Sequence, residues 1–418
     1  MDRFKITGGG PLKGEVTVNG SKNAALPVLV ASLLTDEPFE VSRLPLLRDI
    51  RTTFRILEAL GKKIDYENDR AVITSAGQLS TSAPYDLVKQ MRASNLVAGP
   101  LVARFKHARV PLPGGCAIGL RPMDIHLSAF EKLGATVATE QGDIVLTAKK
   151  LRGAHIKFPF PSVGATENIM MCAALVPGTT VIENPALEPE IADLALCLNE
   201  MGADVKLSHK TITITGKEAM HGAKHRVTAD RIEAGTYLIA VASGGGRAKI
   251  RGCVPGDLKA LLSALEKSGA KISVNGDCIE ITGPARPKPV SITTKPHPGF
   301  PTDLQAPWMA YMCRAKGLCR IRETIFENRF MHAAELARMG ANILVKGNTA
   351  YIRGVERLSG AIVMSSDLRG GAALALAALS ANGGTEIQRV YHIDRGYFRL
   401  EEGLRGLGAK MLREHIKE

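Results

Sequence analysis

The sequence predicts an α/β protein of two domains, each with helices at its centre and sheets around them. Three observations lead there. At 418 residues the chain is too long for one core of ordinary size. A helix end followed by a strand start recurs six times, so six repeated units of about 70 residues make two domains of three. Each unit also carries two kinds of helix, one amphipathic and one apolar on nearly every face, and the second kind belongs in an interior.

The recurring segments are "LEALGKKI", "FEKLGATV", "LNEMGADV", "LEKSGAKI", "LARMGANI" and "LRGLGAKM". Their glycines are Gly61, Gly134, Gly202, Gly269, Gly340 and Gly408, spaced by 73, 68, 67, 71 and 68 residues. Each glycine is a candidate helix C-cap: an amphipathic helix such as "DLKALLSALEKSG" ends in a left-handed residue and the chain turns into a strand. A hairpin follows, as in "AKISVNGDCIEITG" around Asn275-Gly276. Next comes a further strand ("KPVSITTK", "GAIVMSSD", "HRVTAD") and then the apolar helix ("ATENIMMCAALVPG", "EAGTYLIAVASGGG", "GGAALALAALSANG"). The last unit stops short of its closing strands, and Phe4 to Val18 reads like Tyr351 to Val363, so the N-terminus is expected to complete it. One domain is therefore expected over 22–229, the other over 1–21 with 230–418. Eight βα units of a TIM barrel fit this period poorly.

Composition is that of a globular chain, 45% hydrophobic and 23% charged. The opening "MDRFKITGGGPLKG" has no apolar core of a signal peptide, and no run approaches the roughly 18 apolar residues of a membrane span. The expectation is a soluble cytoplasmic protein with no membrane insertion. Seven cysteines without C-x-x-C spacing argue against a disulfide framework and against zinc. The net charge of +13 calls for anionic partners. With aromatics at 5%, one tryptophan and no nucleic-acid module, anionic small molecules are expected and nucleic acid is not. No metal cluster emerges among the ten histidines. His221 and His225, four residues apart in "KEAMHGAKHRV", are read as solvated side chains, and "SGGGR" (243–247) as a turn after a helix.

Unusual polar residues gather where a strand meets an apolar helix: Ser21-Lys22-Asn23, Arg92-Ala93-Ser94, Ser162 to Thr166, Asp230 to Glu233, Pro301-Thr302-Asp303 and Ser366 to Arg369. Exposed N–H groups and the macrodipole make such helix N-termini favourable to anions, although Ser, Thr and Asp are also ordinary N-caps. Lys22, Arg92 and Arg369 oppose the dipole unless a ligand or a carboxylate compensates, and local rules are broken most often at functional sites.

The motifs "GSKNAALP", "MRAS", "PGGCAIGLRPMD", "SVGATEN", "FPTDLQA", "IFENRFMH", "DLRGGAA" and "HIDRGY" together resemble the UDP-N-acetylglucosamine 1-carboxyvinyltransferase family of enolpyruvyl transferases, over the whole chain. The resemblance implies a pair of inside-out α/β barrels. It implies transfer of enolpyruvyl from phosphoenolpyruvate to the 3′-hydroxyl of UDP-N-acetylglucosamine, the first committed step of peptidoglycan synthesis, with no cofactor, no metal and no obligate protein partner. By the same resemblance Lys22 binds phosphoenolpyruvate, Asn23 helps hold both substrates, and Cys116 is the catalytic cysteine. Arg121, Arg92 and Arg395 grip phosphate and carboxylate. Asp303 takes the proton of the sugar hydroxyl, Ser162, Val163, Gly164 and Ile325 line the nucleotide-sugar site, and Arg329, Asp367 and Arg369 surround the reacting groups.

The chemistry suits these residue types. A substrate with a carboxylate and a phosphate needs several fixed cations, and arginine's planar fork matches both groups. Protonating the enol carbon while deprotonating a hydroxyl requires an acid and a base, for which Cys116 and Asp303 are the candidates. A thiol near arginines and backbone N–H groups is acidified and nucleophilic, so alkylating reagents, fosfomycin among them by family analogy, are expected to act at Cys116. The glycine-rich stretch 111–121 reads as a lid. Cys172 and Cys197 are read as core residues, and Cys253, Cys278, Cys313 and Cys319 as structural thiols. Two rivals are the related transferase acting on shikimate 3-phosphate, for which a "GN[SA]GT" motif and no cysteine lid would be expected, and a non-catalytic basic repeat protein.

Overall fold

The computed structural model describes residues 2–112 and 123–415, the side chain of Arg92 excepted. Cys116, Arg121 and most of the 111–121 stretch lie outside the described residues. The chain divides into two compact units, one of residues 20–112 and 123–228, the other of 2–19 and 229–415.

One strand order recurs through both units. In the 229–415 unit, Ile292–Thr293, Leu318–Arg322, Thr349–Arg353 and Asn342–Lys346 lie side by side, the first pair parallel and the others antiparallel. Parallel neighbours need a long crossover, and here it holds the buried helix Gln305–Met312. The antiparallel pair at the far edge needs only a tight turn, which Gly347 enters at φ 55°. The same order recurs in Lys13–Thr17, Arg247–Arg251, Cys278–Thr282 and Lys271–Asn275, and in Ile362–Met364, Gly384–Gln388, Asp2–Thr7 and Lys410–His415. The N-terminal strand therefore occupies the place that Thr349–Arg353 has in its own sheet, in register from Asp2 against His415 to Thr7 against Lys410. In the hairpin read around Asn275-Gly276, Asn275 is still paired with Cys278, so the loop is Gly276-Asp277.

The other unit repeats the order in His155–Lys157, Thr179–Glu183, Thr211–Thr215 and Asp204–Leu207, and in Lys224–Arg226, Phe39–Ser42, Arg70–Ser75 and Lys62–Glu67. Its third sheet has three strands, His107–Pro111, Asp143–Thr147 and Thr136–Glu140, with Ser82 bridged to Arg109 where a fourth would run.

The apolar helices are covered on every side. Every residue but Gly244 in Arg231–Gly244, every residue in Gln305–Met312, and every residue but Leu368 in Leu368–Leu379 is buried. These three helices pack on one another. Trp308 is fully enclosed, edge-on to Phe300 and Tyr311 at 5.6 and 5.4 Å, with its indole N–H donating to the Val290 carbonyl at 3.3 Å. In the other unit every residue but Asn23 in Lys22–Ala31, and every residue but Val163 and Gly164 in Val163–Ala173, is buried. The six repeat glycines all have positive φ, between 84° and 103°, as their place after each amphipathic helix requires.

The six described cysteines are buried. Burial pushes the Cys172 thiol up to about 12 and the Cys319 thiol up to about 11, and raises Cys197 and Cys313 well above the ordinary value. Such thiols hold little thiolate at neutral pH. Among the described residues no helix is long and apolar enough to cross a membrane.

His225 corrects the reading of a solvated side chain. It sits in the strand Lys224–Arg226 with its side chain 1% exposed, Nδ1 2.8 Å from Glu200 Oε2 and Nε2 3.3 Å from Asp193 Oδ2. Asp193 also accepts from the Thr228 backbone N–H at 3.2 Å, which ties down the last residues of this unit. His221, by contrast, is exposed. Burial opposes a charge on His225, but Asp193 and Glu200 outweigh it and raise its pKa. A raised folded-state pKa stabilises fully below the unfolded value of about 6.5, and that contribution is lost as pH rises through the folded value. Wild-type protein is thus expected to lose more thermal stability between pH 6 and pH 9 than the His225→Gln variant. Parallel melting curves across that range would remove the charged histidine from the account.

Candidate active site

In the 20–228 unit the strand-to-helix junctions are capped as serines dictate. Ser21 caps Lys22–Ala31 by accepting from the Ala24 N–H at 3.4 Å, and Ser162 caps Val163–Ala173 by accepting from the Ala165 N–H at 3.4 Å. Lys22, the first residue of its helix, is buried, and its Nζ lies 2.7 Å from Asp49 Oδ2. That carboxylate offsets a cation which otherwise opposes the helix dipole. Asn23 follows it, half-buried. Ser162, Val163 and Gly164 form a half-buried first turn, and a Cβ on Gly164 would meet the His126 ring at 3.4 Å. Behind it Asn168 accepts from the Gly99 N–H at 2.7 Å and donates to the Asn95 carbonyl at 3.0 Å, joining the two neighbouring helix starts. Arg92 opens the short helix Arg92–Val97.

In the 229–415 unit four predicted residues converge. Asp303 lies in the turn Thr302–Leu304 that leads into Gln305–Met312. Its Oδ1 accepts from Arg329 Nη2 at 2.6 Å and its Oδ2 from Arg369 Nη2 at 2.9 Å. Asp367 caps Leu368–Leu379, accepting from the Arg369 and Gly370 N–H groups at 2.9 Å each, and so sets where Arg369 starts. Arg369 is 2% exposed, its guanidinium 5.1 Å from the Tyr397 ring centre, and its Nε and Nη1 find no acceptor among the described residues. A buried arginine survives beside a carboxylate because removing either partner would leave the other charged and desolvated. Asp303 keeps contact with solvent, its side chain 23% exposed. Desolvation works to raise the Asp303 pKa, but Arg369 and Arg329 overcome it and hold the carboxyl well below the usual range. The group is ionised at any working pH. Close by, burial lowers His332 to about 4 despite Asp367, so this imidazole is neutral.

Ile325 is half-buried on the segment that also carries Arg329, and Arg395 ends the short turn Val390–Arg395, half-buried. From the sequence Asp49 and Glu323 went unnoticed, and Thr302 and Tyr397 stood within noted segments without a role of their own. Asp49 hid as an ordinary acidic residue in the first turn of Arg48–Ala59. Glu323 had a usable signal: strand alternation in "LCRIRE" puts it on the inner side with Cys319 and Ile321, and all three are buried.

The family model for EPSP synthase (3-phosphoshikimate 1-carboxyvinyltransferase) matches residues 6–404. A protein of Elusimicrobium minutum named UDP-N-acetylglucosamine 1-carboxyvinyltransferase is 55% identical over 418 residues, covering 99% of each chain. One of the same name from Koribacter versatilis is 51% identical, covering 99% of this chain and 96% of its own. Among solved structures, the enolpyruvyl transferase NikO of Streptomyces tendae superposes with a TM-score of 0.88 at 25% identity, over 99% of this chain and 98% of that one. EPSP synthase of Acinetobacter baumannii gives 0.77 at 18% identity, over 99% and 100%, a likeness of fold alone. With more than half of its residues shared along the full length, the chain belongs to the UDP-N-acetylglucosamine 1-carboxyvinyltransferases, enolpyruvyl transferases within the EPSP synthase family.

Proposed function

We propose that this enzyme moves the enolpyruvyl group of phosphoenolpyruvate to the 3′-hydroxyl of UDP-N-acetylglucosamine and releases phosphate, opening peptidoglycan synthesis in the cytoplasm. The observation that carries the reading is the Asp303 carboxylate, kept ionised between Arg329 and Arg369 yet in contact with solvent. The acceptor assignment draws support from the 55% identity to a protein named for that sugar, against 18% to EPSP synthase. We read each compact unit as an inside-out α/β barrel of three repeats, one within 22–229 and the other made of 1–21 and 230–418. Support comes from the recurring strand order and the enclosed helices.

In the reaction as we read it, Cys116 delivers a proton to the methylene carbon of phosphoenolpyruvate while the sugar oxygen bonds to the central carbon and gives its proton to Asp303. The tetrahedral adduct then returns a methyl proton to the Cys116 thiolate, the bond to the phosphate oxygen breaks, and the double bond reforms as phosphate leaves with the proton that Asp303 had taken up. Because two arginines hold Asp303 at a low pKa, it is a weak base in isolation. The hydroxyl proton is therefore lost as the C–O bond forms, when the oxygen turns acidic. Lys22, Arg92, Arg121 and Arg395 hold the substrate's phosphate and carboxylate, as bidentate or point-charge donors suit, and Asn23 helps hold both substrates. Ser162, Val163, Gly164 and Ile325 line the nucleotide-sugar site, with Arg329, Asp367 and Arg369 around the reacting groups.

Release of inorganic phosphate from phosphoenolpyruvate is expected with UDP-N-acetylglucosamine and absent with shikimate 3-phosphate; the reverse pattern would transfer the chain to the other acceptor. Asp303→Asn should cut kcat by about 100-fold or more. It should also lower the melting temperature, since Arg369 loses its counter-charge. Unchanged turnover would move the base elsewhere. A thiol-alkylating reagent should inactivate the native enzyme with the label on Cys116. Peptide mapping that finds the label chiefly on the six buried cysteines would overturn that role.

A further inference from the structure

The acid-base reading leaves the buried carboxylate of Glu323 without a task. Glu323 is 1% exposed. Its Oε1 accepts from Thr294 Oγ1 at 2.8 Å, the Ile325 N–H at 2.7 Å and the Phe326 N–H at 3.2 Å, and its Oε2 accepts from Thr302 Oγ1 at 2.8 Å. Among the described residues no cation pairs with it. Four donors and no acceptor reach this side chain, a pattern that a carboxylate satisfies and an amide cannot, because an amide nitrogen would confront donors.

Those four bonds join three pieces of chain: the segment after Ile292–Thr293, the turn Thr302–Leu304 with Asp303, and the segment with Ile325 and Arg329. The Thr302 hydroxyl has a single proton, and spending it on Glu323 leaves only lone pairs for its other partner. That partner is Arg329, whose Nη1 donates to Thr302 Oγ1 at 3.0 Å while its Nη2 donates to Asp303 Oδ1 at 2.6 Å. A guanidinium fork is planar and rigid, so fixing one prong on Thr302 fixes the direction of the other.

We propose that Glu323 and Thr302 are positioning residues for the transfer: Glu323 polarises the Thr302 hydroxyl, Thr302 orients Arg329, and Arg329 holds the Asp303 carboxylate in the direction from which it meets the acceptor hydroxyl. Through the Ile325 N–H, the same Glu323 sets the segment that lines the nucleotide-sugar site. The assignment rests on Asp303 serving as the base in the reading above.

The test uses three variants of the full-length enzyme in the phosphate-release assay, scored per folded molecule. Thr302→Val, of nearly unchanged shape, should lower kcat by about 10- to 100-fold and leave both KM values within about 3-fold. Thr302→Ser should restore most of kcat. Glu323→Gln should lower kcat to a similar degree and in addition raise KM for UDP-N-acetylglucosamine, but not for phosphoenolpyruvate. A purely structural role would lower the melting temperature while leaving kcat per folded molecule unchanged, and that result in Thr302→Val would overturn the relay. The Thr302 variants keep the test decisive even where Glu323→Gln fails to fold. Wild-type enzyme that releases no phosphate with the nucleotide sugar would overturn the underlying reading and, with it, this role.

Discussion

A helix that is apolar on every side has to be covered on every side, and the rest of this structure depends on meeting that demand. In the 229–415 unit three such helices cover one another, and strands are left to enclose what remains. The strands follow from the same demand. Their alternate side chains face the helices, as in Leu318–Arg322, where Cys319 and Ile321 are buried while Leu318, Arg320 and Arg322 are exposed.

Burying helices also determines where polar chemistry can be built. Along such a helix no position tolerates a charge, whereas its first turn leaves N–H groups unsatisfied and admits capping side chains. Asp367, Asp230, Ser21 and Ser162 each cap one of these buried helices. The residues beside the caps are then held to within the accuracy of the fold: Arg369 sits two positions after Asp367, and Lys22 directly after Ser21. Strain against the dipole is relieved in both cases by a carboxylate, Asp303 for Arg369 and Asp49 for Lys22. The outcome is a set of fixed charges paired with one another, which is how a protein prepares an electrostatic environment before its ligand arrives.

The pairing has a chemical cost and a use. An aspartate between two arginines is a poorer base than a free one, so it accepts a proton only where the donor is made acidic by the reaction itself. It is also held steady by both oxygens, and the second-rank contacts from Thr302 and Glu323 extend that constraint outward from the charged group.

By itself the sequence determined the repeat, the two kinds of helix and the closing role of the N-terminal strand, because these depend on local periodicity and on glycines at positive φ. It also singled out Lys22, Arg92 and Arg369, since a cation at an apolar helix start opposes the dipole, whereas Asp303 there looked like an ordinary cap and was marked only by the family resemblance. Only the tertiary structure decided which carboxylate each cation meets. Asp49 and Lys22 are 27 residues apart in sequence and Asp303 and Arg369 are 66 apart. It also decided that His225 is buried between Asp193 and Glu200, and that Glu323 collects four donors. Local patterns carry the energetics of single elements. Partners across 25 to 70 residues are selected by how those elements pack, and desolvation makes the selected pair strong enough to matter.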